Sequence, residues 1–134
     1  MDSTIKELVT GYIQKSERKL EAADELFRSE FYEDAVSRAY YAVFHAVQAL
    51  LLTEGQSAEM HKGIVTLFSL LFVKTGKFSR DAGKYLANLK DDRESGDYEV
   101  FSYIDRDTAE TAREEARKFI QESKTYLGRL GLIL

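Results

Sequence analysis

The run Ser37-Arg38-Ala39-Tyr40-Tyr41-Ala42-Val43-Phe44-His45-Ala46-Val47-Gln48-Ala49-Leu50-Leu51 constrains the fold most, because as a helix it lacks an ordinary solvent face. At about 100° per residue, Val36, Tyr40, Val43, Val47 and Leu50 fall on one apolar stripe, the pattern of a core-facing helix. The same geometry aligns Arg38, Tyr41, His45, Gln48 and Leu52 on the opposite side. A solvated back face carries Lys and Glu; this one carries an aromatic, a histidine, an arginine and a leucine between alanines. Both faces are therefore expected to be covered, the second by another helix of the chain, by a second copy, or by a ligand. A cover from within would have to pair the arginine and the histidine.

The rest of the chain supports helices throughout. Its 134 residues contain no proline, where average usage gives about six or seven, so nothing interrupts helical hydrogen bonding. With 44% hydrophobic residues the length suits one domain over residues 1–134 with a single core. Thr4-Ile5-Lys6-Glu7 reads as a capping box opening a first helix, with Leu8, Tyr12, Leu20, Ala23 and Phe27 at helical spacing to about Arg28. The second helix starts within Ser29-Glu30-Phe31-Tyr32, runs to Thr53 or Glu54 and stops at Gly55, a left-handed cap. A third is expected from Met60 to Lys74, burying Ile64, Leu67, Phe68, Leu71 and Phe72 and ending at Gly76.

A shorter helix, Ser79 to Lys90, then leads into an irregular acidic stretch, Asp91 to Glu99. Asp107-Thr108-Ala109-Glu110 reads as a second capping box, opening a last long helix to Tyr126 or Leu127. The tail from Gly128 to Leu134 is too apolar to float and should pack on a neighbour. The expected fold class is all-α, an antiparallel up-and-down bundle of four long helices and one short helix.

Composition narrows the function. Net charge is −4, which speaks against broad nonspecific nucleic-acid binding and leaves only a local basic cluster to contact phosphates, weakly and with a shallow salt dependence. The segments Lys15-Ser16-Glu17-Arg18-Lys19 and Arg113-Glu114-Glu115-Ala116-Arg117-Lys118 read as solvated faces with pairs four residues apart. Cysteine is absent, so thiolate catalysis and disulfides are excluded. The carboxylates from Asp91 to Glu99 match no EF-hand spacing, and neither a metal nor a cofactor is expected. The longest apolar run, Ile64 to Val73, is about half of what a bilayer needs. Met1-Asp2-Ser3-Thr4 lacks a basic then apolar leader. Cytoplasmic residence without a membrane partner is the expectation.

Three separated motifs carry a resemblance. Ser37 to Ala46, then His61-Lys62-Gly63, then Arg93 with Asp97-Tyr98 before the last helix, resemble the small prokaryotic branch of the HEPN domain family over nearly the whole chain. The resemblance implies a dimeric bundle of four or five helices that partners a minimal nucleotidyltransferase in a system of toxin–antitoxin type. It also implies, for many members, metal-independent ribonuclease activity built on an arginine, four to six variable residues and a histidine just before the last helix. Here that place holds Arg93 with Tyr98 where the histidine would stand, and Glu99 and Val100 at the longer spacings.

Arg38 and His45 do have that spacing, six residues apart, which puts their Cα atoms about 10 Å apart on one helix face. A histidine titrating near neutrality can take the proton of a ribose 2′-hydroxyl while an arginine stabilises charge growing on the phosphate, so Arg38 and His45 are the candidate catalytic pair. Tyr41, His61, Lys62, Arg93, Asp97 and Tyr98 are the candidates for binding a nucleotide, RNA or a protein partner. A structural reading stands beside each: His61 as a residue at a helix start, Arg93 as an ion-paired loop anchor, and Tyr98 with Phe101 and Tyr103 as a plug at the bundle's end. The first expectation for function is an interaction module working with a nucleotidyltransferase. A ribonuclease at a homodimer cleft and a non-cleaving nucleotide- or RNA-binding domain are the alternatives.

Overall fold

A computed structural model describes residues 3–57, 61–101 and 104–133; Met60, Tyr103 and Leu134, which figured above, lie outside them. Five helices form among the described residues: α1 (Ser3–Arg28), α2 (Tyr32–Leu52), α3 (Ile64–Phe68), α4 (Arg80–Tyr98) and α5 (Arg106–Arg129). α3 continues without a break into a wider π turn over Ser69–Val73, where the Lys74 N–H bonds the Ser69 carbonyl at 2.8 Å. The fold is an all-α helical bundle, and no described helix is long and apolar enough to cross a membrane.

The α1–α2 connection shows how tightly the chain reverses. The Phe31 N–H reaches the Leu26 carbonyl at 2.9 Å and the Glu30 N–H reaches Phe27 at 3.0 Å, with Glu30 left-handed at φ 67°. That is a Schellman motif with glutamate where glycine is usual. The end of α2 repeats it with Gly55 at φ 67° and the Gln56 N–H on the Leu51 carbonyl, as its glycine implied.

Four boundaries differ from the sequence reading. α4 does not stop at Lys90. Residues 91–98 stay helical because the acids are spaced to pair along the helix: Lys90 Nζ with Glu94 at 2.6 Å and Arg93 Nε with Asp97 at 2.8 Å, each four residues apart. Gly96 lies against the start of α2, where a Cβ would make ordinary van der Waals contacts, 3.5 Å from Ile104 and 3.8 Å from Glu33. α5 is capped by Asp105 rather than Asp107, the Asp105 carboxylate accepting the Thr108 N–H at 2.8 Å. α3 begins at Ile64, so the short helix of the bundle is the third and not the fourth. The box at Thr4 also moves, since Ser3 is already helical.

α2 is the axis of the bundle, packed on α1, α4 and α5. Ala35, Ala39, Ala42, Ala46 and Ala49 are all fully buried and permit close approach. Ser16 of α1 comes near enough to donate its buried hydroxyl to the Ala42 carbonyl at 2.6 Å. At the far end Phe68, Phe72, Phe78 and Phe119 form a ring cluster with centroids 5.2–6.1 Å apart. Leu132, in the tail after α5, is buried within its own chain. Tyr98 and Phe101 do not plug the bundle; they are 72% and 87% exposed.

Phe119→Ala should cost about 3–5 kcal/mol, as loss of a core ring does, while Phe101→Ala should change stability by less than about 0.5 kcal/mol. Urea denaturation of both variants checks this, and equal effects would contradict the packing described.

Candidate functional site

Ring contacts and hydrogen bonds bring Tyr41, His45, His61, Arg93, Asp97 and Tyr98 together beside α2, whereas Arg38, on the same helix face, makes none with them among the described residues. Tyr41 and His45 project from α2, His61 and Lys62 lie in the turn before α3, and Arg93, Asp97 and Tyr98 lie in the last turns of α4. Because Gly96 packs beside Glu33 and Arg93 beside Tyr41, α4 runs antiparallel to α2 and delivers Arg93 to its second face.

Arg93 is held on several sides. Its Nε donates to Asp97 Oδ2 at 2.8 Å and its Nη2 donates to the Tyr41 hydroxyl at 3.0 Å. The guanidinium carbon lies 5.3 Å from the Tyr41 ring centroid, 5.5 Å from Tyr40 and 5.8 Å from Tyr98, within cation–π range of all three. Only 11% of the side chain is exposed. Burial by itself would weaken the charge, and the Tyr41, Asp97 and Tyr98 oxygens more than offset it. Arg93 is thus ion-paired, as the structural reading held, but from a helix and against aromatic faces.

His61 is stacked on Phe44 at 4.2 Å between centroids, with Tyr41 edge-on at 5.5 Å. It lies three residues before the first residue of α3, so it does not start that helix as the sequence suggested. Its Nδ1 is 2.6 Å from the Tyr40 hydroxyl. Burial holds that phenol's pKa well above its ordinary value, only partly opposed by Arg93. Tyr40 therefore keeps its proton and, with no other acceptor among the described bonds, donates it to Nδ1, which leaves the imidazole proton on Nε2.

His45 is 9% exposed, with Nδ1 2.7 Å from Gln48 Oε1. An amide oxygen only accepts, so Nδ1 carries the proton and Nε2 is the basic nitrogen. The two histidines, both in ring contact with Tyr41 and Phe44, thus present opposite tautomers. Both titrate below the usual histidine value. For His45 the cause is burial first, offset by Gln48 and reinforced by Lys15 and Lys19. For His61 it is burial, then Arg93 and Lys90.

Arg38 stands apart. It is exposed, lines a groove with Lys15, Arg18 and Lys19 of α1, and makes no hydrogen bond to His45 among the described residues. Lys62 is exposed beside His61. The sequence reading set Gln48 beside His45, as the structure has it, and missed Tyr40 and Phe44 as partners of the histidines. Their spacing was legible; which ring nitrogen each fixes was not, because that depends on how α4 and the turn before α3 close on α2.

A profile of the HEPN domain family matches residues 9–126. Two Methanocaldococcus jannaschii proteins, each named a putative toxin, are 34% identical over 127 residues (95% of this chain, 86% of that one) and 33% identical over 130 residues (97% and 91%). A UPF0332 protein of Thermotoga maritima is 39% identical over 94 residues, covering 69% of this chain and 71% of its own. The crystal structure of TT1696 from Thermus thermophilus superposes with a TM-score of 0.75 at 20% identity, covering 89% of this chain and 98% of the other, a likeness of fold. With all three motif segments inside or touching one bundle face, this chain belongs to the HEPN domain family.

Proposed function

We propose that this chain is the toxin-like HEPN member of a two-component system, that its partner is a minimal nucleotidyltransferase, and that the Tyr41–His61–Arg93 face is where it is engaged. The observation that carries this reading is the caging of Arg93. A guanidinium bound by Asp97 and Tyr41 and flanked by three rings is a rigid recognition element, and beside it Tyr98 stands exposed where the family motif has its histidine. Arginine on aromatic faces is a frequent anchor of protein interfaces. Val100 and Phe101, 90% and 87% exposed, extend the face with apolar surface that a twofold dimer or the partner would bury.

A second reading is favoured by one observation. Two histidines share ring contacts with Tyr41 and Phe44, and a neutral His45 as base with a doubly protonated His61 as acid would be the pair that metal-independent cleavage of a ribose-phosphate backbone uses, although burial, Arg93 and Lys90 disfavour the charged form of His61. Against it stands Arg38, exposed and without a hydrogen bond to His45 among the described residues.

Co-expression with the minimal nucleotidyltransferase of the same organism should give a stable complex, and Arg93→Ala should weaken it by about tenfold or more, the effect of removing a buried interface anchor. Absence of a complex with the wild-type chain would overturn the first reading. In an RNA-cleavage assay with chelator present, the wild-type chain should be inactive. Cleavage that disappears in folded His45→Gln and Arg38→Ala variants would replace the first reading with the second.

Acid should destabilise the fold through these histidines. Because both are held below the ordinary value of 6.5, the unfolded chain binds protons that the folded chain refuses. Stability is therefore complete above pH 6.5 and is lost as pH falls below it. Urea midpoints between about pH 7.5 and about pH 5.5 should decline on acidification, and His45→Gln should flatten the decline. A profile unchanged by that substitution would contradict the protonation states assigned here.

A further inference from the structure

The charges of α1 are sorted by the fold in a way their interleaving in sequence conceals. Three of its five acids are engaged: Glu17 pairs with Lys124 at 3.3 Å, Asp24 takes Arg113 at 2.8 Å and Arg117 at 3.1 Å from α5, and Glu25 holds Arg28, while Glu7 and Glu21 do not line the groove between α1 and α2. The bases Lys15, Arg18 and Lys19 make no ion pair among the described residues and turn toward Arg38 of α2. Together these four cations line a groove of about 650 Å³ whose other lining includes Ala22 and Leu26, and the one carboxylate at its edge, Glu25, is already held by Arg28.

We infer that this α1–α2 groove is a docking site for an acidic amphipathic segment of a partner protein, its carboxylates on Lys15, Arg18, Lys19 and Arg38 and its apolar side chains on Ala22 and Leu26. Charge complementarity selects an acidic occupant. The apolar strip between the cations selects a peptide over a nucleic-acid strand, since single strands are held by aromatic platforms along a basic track and no aromatic residue lines this groove. The acidic balance of the chain as a whole points the same way. Two helices with cationic rims and a small-residue floor form the groove into which an acidic helix or extended segment lies.

The inference builds on the reading of this chain as an interaction module, and it can fail separately from it. The test is fluorescence anisotropy of the full chain with two labelled probes. One is a synthetic peptide of about 15 residues with Glu on one helical face and Leu on the other; the second is an oligouridine of similar length. The peptide should bind the wild-type chain more tightly than the RNA does, and Lys15→Glu with Arg38→Glu, both exposed positions, should weaken it by about tenfold or more. Circular dichroism confirms the fold, and Lys15→Gln with Arg38→Gln serves as a milder pair. Peptide bound in the groove neutralises Lys15 and Lys19, so the His45 ring should titrate at higher pH in its presence. No peptide binding, binding indifferent to both variant pairs, or tighter binding of the RNA would each overturn the inference. Peptide binding without a nucleotidyltransferase complex would leave the groove standing and remove the partner assigned above; the complex without peptide binding would do the reverse.

Discussion

The burial of α2 on both sides is the constraint from which the remaining features follow. A helix that exposes no ordinary polar face needs neighbours all around, and five fully buried alanines let α1 and its other neighbours come close enough to supply them. The cost is that polar groups on the second face lose water. His45 pairs with Gln48 and Tyr41 with Arg93 within the chain, Tyr40 of the core stripe pairs with His61, and Arg38 alone of these stays in solvent. An unpaired buried group costs about 1–3 kcal/mol, so these pairings hold the turn before α3 and the end of α4 against α2. The site is in this sense a by-product of packing, placed where an unusual helix has to be completed.

Much of this was legible in the sequence. The doubled face of α2 was read from the positions of Arg38, Tyr41, His45 and Gln48, and α1, α2 and α5 fall within a few residues of where periodicity and glycine put them. Residues 91–98 were misread because a glycine amid acids resembles a loop, whereas helical pairing of Lys90 with Glu94 and Arg93 with Asp97, together with the packing of Arg93 on Tyr41, offsets the intrinsic cost of Gly96, about 1 kcal/mol. The misreading of α1 had the opposite origin. Its alternating charges suggested local pairs, but Glu17 and Asp24 pair across to α5, a choice that depends on tertiary contact.

The two sides of α2 differ in kind. On the α4 side, cations and rings are locked together, and Arg93 is buried and engaged. On the α1 side, Arg38, Lys15 and Arg18 stand in solvent around an open groove. His45 lies between them and takes its electrostatic environment from both, feeling Lys15 and Lys19 from α1 and His61 from beside α4.

Hydrogen exchange of the isolated chain, followed by NMR, tests most directly whether α2 is completed from within. The amides of residues 39–46 should exchange only through global unfolding, and the Arg93 Nε–H should be protected by its bond to Asp97. Exchange of those amides through local opening, with an unprotected Arg93 side chain, would show that the second face is not covered by the chain itself and would contradict the account.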